Sequence, residues 1–244
     1  MNSILIITII GFLAGMIGTG IGGLSSYMFR SPSKRFFSII LGISGGLMIS
    51  IVCFDLLPQA FIMVGLPLGI FGIILGVLLI SLIDEIIIKL DKNKKNRDSF
   101  VKTGILIGIG ILIHNFPEGL AIGSGYMATT NLGIGLAIII AIHNIPEGIA
   151  MATPLTIGGV KKGRVLLYTI IAGIPMGIGA FLGAVLGEIS QSFIGWCLGF
   201  AGGAMLFITC QEIIPKSRDM WKGRISGFGI ILGIIFGILL SSLI

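Results

Sequence analysis

The feature that most limits what this chain can fold into is where its polar residues stop. Charges come in short clusters, and between the clusters run apolar stretches of about 20 residues, the length of a helix that crosses a bilayer. Reading from one polar break to the next gives eight stretches, at 3–24, 36–58, 64–88, 102–126, 131–154, 165–187, 192–214 and 225–244. With 11% charged residues and a mean hydropathy of +1.11, the chain lacks the charge to cover a water-facing surface. A soluble domain carries about a quarter. The expected fold is an all-α membrane protein, one domain of eight transmembrane helices over 1–244. The run behind Met1 ends without an A-x-A-like cleavage site, so it reads as a first span and not as a signal peptide. The 39 glycines follow no collagen-like G-X-Y period and lie inside apolar runs, where small residues let helices approach closely. Three cysteines, all in apolar stretches, do not make a disulfide framework.

All 16 Lys and Arg fall in four connections. Arg30, Lys34 and Arg35 lie between spans 1 and 2; Lys89, Lys92, Lys94, Lys95, Arg97 and Lys102 lie between 3 and 4. Lys161, Lys162 and Arg164 follow span 5, and Lys216, Arg218, Lys222 and Arg224 follow span 7. So divided, they form no groove-sized patch, and nucleic acid is not an expected partner. The positive-inside rule instead places these connections in the cytoplasm, with a basic loop at 89–101, and both termini outside it. The expected location is a multi-pass position in a bacterial cytoplasmic membrane. No connection is long enough for a nucleotide-binding domain and no G-x-x-x-x-G-K-[ST] occurs, so transport would run on gradients.

Two repeats stand out. Residues 45–58 in span 2 match 202–215 in span 7 at a constant offset of 157, sharing Gly-Gly, Met, Ile, Cys and Pro and placing Asp55 opposite Glu212. The two spans would run in opposite directions. That is the mark of inverted repeats, spans 1–3 against 6–8, with spans 4 and 5 central and the substrate site between the halves.

The second repeat carries the chemistry. His114-Asn115-Phe116-Pro117-Glu118-Gly119 and His143-Asn144-Ile145-Pro146-Glu147-Gly148 lie 29 residues apart and hold the 2 histidines of the chain. On a helix, residues four apart share a face, so His114 sits with Glu118 and His143 with Glu147; the asparagines lie about 100° round. Each proline removes an N–H and favours a kink, and each glycine admits a neighbouring backbone. A carboxylate at mid-membrane depth needs a partner. No Lys or Arg lies within a predicted span core, which leaves a divalent metal ion. Mixed imidazole and carboxylate donors suit Zn²⁺, Fe²⁺, Mn²⁺ or Cd²⁺ better than Mg²⁺, Ca²⁺ or Cu⁺, and zinc is favoured. Met48 offers a soft donor, although methionine in an apolar helix usually fills space. Asp55, Glu212 and Gln211 read as pathway residues near the two mouths.

These motifs resemble the ZIP family of zinc/iron-regulated transporters, in particular its short prokaryotic members. The resemblance rests on the paired H-N-x-P-E-G frames, on Gly-Gly-x-Met…Asp-Leu-Leu-Pro in span 2 and on Glu-Ile-Ile-Pro in span 7. It implies a binuclear site, with His114, Glu118, His143 and Glu147 as first-site ligands and Asn115 and Asn144 leaning to a second. It also implies that Met48 stands beside the metal. Met176 occupies the place of a span 6 glutamate common in relatives, which implies a weakened or absent second position.

The expected function is movement of a divalent transition metal toward the cytoplasm, with Zn²⁺ as substrate and Fe²⁺, Mn²⁺ and Cd²⁺ as further candidates. The competing reading is an intramembrane binuclear metalloenzyme. No H-E-x-x-H, di-iron pattern or nucleophile motif is present, so the chain is not expected to be an enzyme. The lipid bilayer and metal ions are the expected partners, with a homodimer left open.

Overall fold

The structure, a computed structural model, describes residues 2–28, 33–92 and 100–242. Arg30 and most of the 89–101 loop, residues 93–99, lie outside the described residues. Among the described residues every regular element is helical: α1 (Asn2–Met28), α2 (Lys34–Ser50), α3 (Leu57–Lys92), α4 (Phe100–Ala128), α5 (Thr130–Ile157), α6 (Lys162–Ala172), α7 (Ile174–Ile189), α8 (Gln191–Ile208), α9 (Ile214–Met220) and α10 (Ile225–Ser241). Two π-helical turns, Ile51–Leu56 and Thr209–Ile213, join α2 to α3 and α8 to α9. Only helices and closed barrels satisfy every backbone polar group in lipid, and these apolar sequences take the helical solution. Several begin on a hydroxyl cap: Ser33 Oγ accepts from Phe36 N, Thr129 Oγ1 from Leu132 N and Ser190 Oγ from Phe193 N.

Among the described residues six helical runs are long and apolar enough to cross a membrane, with Ile225–Ser241 a shorter seventh apolar helix. One run, Lys34–Ile83, has 50 residues. Straight, it would be about 75 Å long, far beyond a hydrocarbon core of about 30 Å. Gly65 interrupts it at φ 75°, ψ 164°, a left-handed conformation in which a side chain is strained.

Spans 2 and 7 do not end at their prolines as the sequence suggests, and the π turns explain why. Pro58 and Pro215 cannot donate, and in an α-helix their rings would collide with the carbonyls four residues back. The backbone widens instead: Leu57 N donates to Val52 O and Ile214 N to Thr209 O, both five residues back. The two widened bonds are 157 residues apart, the offset of the sequence repeat. Helix therefore continues past Pro58 to Gly65 and past Pro215 to Met220, which shifts the break after span 2 and lengthens span 7 by a turn and a half. Span 6 is split at Gly173 into α6 and α7.

α4 packs on α5, α7 and α8; α1 covers α5, α6 and α7; α3 lies along α8 and α10 along α2. The largest apolar cluster joins Met48, Ile51, Val52 and Leu56 to Ala121 and Ile122 of α4, Ile139 and Ile140 of α5, and Leu198, Ala204 and Met205 of α8. Leucine, isoleucine and phenylalanine face outward along α1, α3, α7 and α10, as a lipid-facing wall requires.

Candidate metal site

The two H-N-x-P-E-G frames lie on α4 and α5 and face each other across the interface of these helices. Gly148 is pressed against the backbone of α1, where an added Cβ would lie 3.0 Å from Gly22 Cα, and Gly119 is pressed likewise on the Met176 backbone of α7. The glycines thus draw the flanking helices onto the motif pair.

Glu118, His143 and Glu147 converge so that one donor atom from each lies within 4.8 Å of the other two. Donors around a tetrahedral zinc sit about 3.4 Å apart, so small side-chain rotations close this group on one ion. His143 Nε2 lies 3.0 Å from Glu118 Oε1, both side chains fully buried. Glu118 Oε2, both carboxylate oxygens of Glu147 and His143 Nδ1 are buried without a protein partner. Buried carboxylate oxygens left this way carry a large desolvation cost, and a cation is the partner that offsets it. The donor set therefore fits a divalent transition metal.

His114 turns elsewhere. Its Nε2 lies 3.2 Å from Glu212 Oε1, in the second π turn, so this imidazole links the cluster to Glu212 and is not a member of the three-residue group. The asparagines are engaged by protein: Asn144 Nδ2 donates to Asn115 Oδ1 at 3.0 Å, and Asn115 Nδ2 donates to the Ala172 carbonyl at 2.7 Å. That carbonyl lies beside the Gly173 break, so the asparagine pair holds α4, α5 and α6 together. Met176 is buried and adds no donor oxygen from its side chain. Met48 is fully buried with its Sδ 3.4 Å from Thr209 Oγ1, and the same hydroxyl lies 2.7 Å from Met205 O. Ser44 of α2 donates to the His143 carbonyl at 3.3 Å, a support that the sequence does not signal.

A cavity of about 240 Å³ reaches the site, lined by His114 and Glu147 together with Glu212, Lys216, Ile107 and Ala150. A second, of about 370 Å³, shares Leu41, Ile107, Ala150 and Lys216 with it and extends to Lys34, Phe100 and Met220. Exposure rises along this route, from 0% at Glu118 and His143 through 4% at Glu147 and 6% at His114 to 40% for the Glu212 side chain. On the other side of the site, one turn along each helix, Ala121 and Ile122 of α4 and Ile139 and Ile140 of α5 belong to the apolar cluster. Asp55 stands in the first π turn with buried Val52 and Leu56, and its Oδ1 accepts from Ser241 Oγ at 2.6 Å while Oδ2 is buried without a partner. Gln211 is exposed and lines neither cavity described.

Lys216 corrects the expectation that no cation enters a span core. Because helix continues past Pro215, its side chain lines both cavities and is not confined to the interfacial connection. Its place one turn after Glu212 was the available signal.

A helical bundle with apolar outer faces and a buried imidazole–carboxylate group open to one side defines the class of intramembrane cation-handling proteins. The sequence comparisons narrow this further. A profile described as ZIP zinc transporter matches residues 89–244. The zinc transporter ZupT of Stenotrophomonas maltophilia (strain R551-3) is 32% identical over 240 residues, covering 91% of this chain and 89% of that protein. Zinc transporter ZupT of Chlorobium limicola is 32% identical over 254 residues, covering 95% and 94%, and that of Streptococcus mutans is 31% identical over 242, covering 91% of each. The chain belongs to the ZIP zinc transporter family. Its relatives are transporters and not enzymes, which sets the metalloenzyme reading aside.

Proposed function

We propose that this chain carries zinc across the bilayer through the Glu118–His143–Glu147 group and releases it on the side of the Lys- and Arg-rich connections. The observation that carries the reading is the convergence of those three side chains, buried and with oxygens unpartnered, at the closed end of a cavity. The names of the relatives supply zinc as the substrate. Fe²⁺, Mn²⁺ and Cd²⁺ suit the same donors and would compete.

The route runs from Asp55 to the His/Glu group, then past His114 and Glu212. The Lys34–Ile83 run counts as two passes about Gly65, and with Ile225–Ser241 the chain makes eight. Both termini then lie outside the cytoplasm. The paired π turns support descent of spans 1–3 and 6–8 from one inverted unit, whose halves rock about α4 and α5 to open each side in turn. The conformation described has its cavity toward the basic connections and apolar side chains packed over the opposite side. Asn115 and Asn144 would have to give up their mutual bond to ligate a second ion, so one ion per passage is the simpler arrangement. His114 hands the ion from Glu147 to Glu212.

The test is tracer zinc uptake into proteoliposomes. His143→Ala and Glu147→Ala should each abolish uptake while the purified variants remain folded by circular dichroism. Native uptake by both variants would remove this site from the pathway.

A further inference from the structure

We propose that Lys216 is a tethered counter-cation of the release route: its ammonium takes the place of the departing metal ion beside Glu212 and so lowers the affinity of the site from the exit side. The inference deepens the transport reading above and rests on it. It begins from geometry. Lys216 lies in α9, one turn after Glu212, and is half-buried. It lines the cavity that ends at His114 and Glu147 and also the cavity that leads away from it. Among the described residues lining the inner cavity it is the one Lys or Arg, and it shares that lining with the carboxylates of Glu147 and Glu212.

A route lined by carboxylates alone would hold a divalent ion too long to be useful. Passage requires binding favourable enough to enter and weak enough to leave. A fixed positive charge on a flexible four-carbon stem meets that need. It neutralises the exit carboxylates when no metal is near, repels M²⁺ returning from the cavity, and swings aside while an ion passes. At an effective dielectric of about 50, that of a water-filled cavity walled by protein, a unit charge about 10 Å from a divalent ion changes its affinity by about tenfold. No bond is made or broken.

The experiment compares the native full chain with Lys216→Met, which keeps the apolar stem, Lys216→Gln, and Lys216→Arg, which keeps the charge. Zinc affinity is measured in detergent by competition with a chromophoric chelator, and uptake kinetics are measured in proteoliposomes. Lys216→Met and Lys216→Gln should bind zinc about tenfold more tightly, with KM and the maximal rate both falling, whereas Lys216→Arg should match the native chain. A packing role alone would not tighten binding. Unchanged or weaker affinity in a folded Lys216→Met or Lys216→Gln protein overturns the proposal, and so does an equal gain in affinity in Lys216→Arg. If the native chain binds zinc but carries none, the transport reading fails while the affinity comparison still decides the role of the charge. Absence of zinc binding by the native chain overturns both.

Discussion

Between His143 Nε2 and Glu118 Oε1, 3.0 Å apart and sealed from solvent, a proton must sit, whichever partner owns it. An ion gripped by Nε2 and Oε1 would displace that proton, either to Nδ1 of the same ring or away from the site. Zinc binding should therefore weaken as pH falls, because protons compete for imidazole and carboxylate donors, and chelator competition at two pH values reads the change. Affinity that does not change with pH would mean that the ion sits elsewhere. The asparagines make a separate demand. Asn115→Leu removes the donor to the buried Ala172 carbonyl, which should cost about 2 kcal/mol and lower the melting temperature in detergent by about 5 °C. An unchanged melting temperature would show that this carbonyl finds another donor. At this scale the sequence reached far: the H-N-x-P-E-G frames name every member of the converging group. It could not say which histidine joins the two glutamates, because the partner of His114 lies in Glu212, 98 residues away, and no local period registers that contact.

Among the helices, glycines and prolines decide how closely neighbours lie and where helices stop. Gly148 meets the Thr19 and Gly22 backbone of α1, whereas Gly227, in the first turn of α10, faces open space. Gly148→Ala should therefore destabilise by about 1–3 kcal/mol through overpacking against atoms that cannot rotate away. Gly227→Ala should instead be neutral or stabilise by up to about 1 kcal/mol through helix propensity. Thermal unfolding in detergent separates the two, and equal melting temperatures would contradict the close approach of α1 and α5. The apolar runs located the helices from composition alone, since about 20 residues of hydrocarbon-compatible sequence have one way to satisfy their backbone. Their ends were less legible. A proline ordinarily terminates a helix, and the π turns that carry the chain past Pro58 and Pro215 depend on neighbours packed around the widened backbone.

Across the described helices the two cavities at the candidate site lie on one side of the Glu118–His143–Glu147 group and the apolar cluster on the other. Access should be equally one-sided. In a chain with Cys53, Cys197 and Cys210 replaced, Ile107→Cys should react with a membrane-impermeant thiol reagent added on the side of the basic connections and resist it from the opposite side. Ile122→Cys, fully buried in the cluster, should resist from both. Equal labelling of Ile107→Cys from the two sides would contradict the one-sided opening. The membrane class, the helical architecture, the imidazoles and carboxylates placed one turn apart on two helices, and the family were all legible in the sequence. These depend on composition and on residues close together along one helix, where the 3.6-residue period fixes what shares a face. It took the packed helices to show that Glu118, His143 and Glu147 close on one another while His114 turns to Glu212, that the asparagines bind each other, and that Lys216 lines the cavities. Those outcomes depend on how far each helix is rotated and shifted against its neighbours. Side chains packed between helices set that quantity, and no stretch of a single helix encodes it.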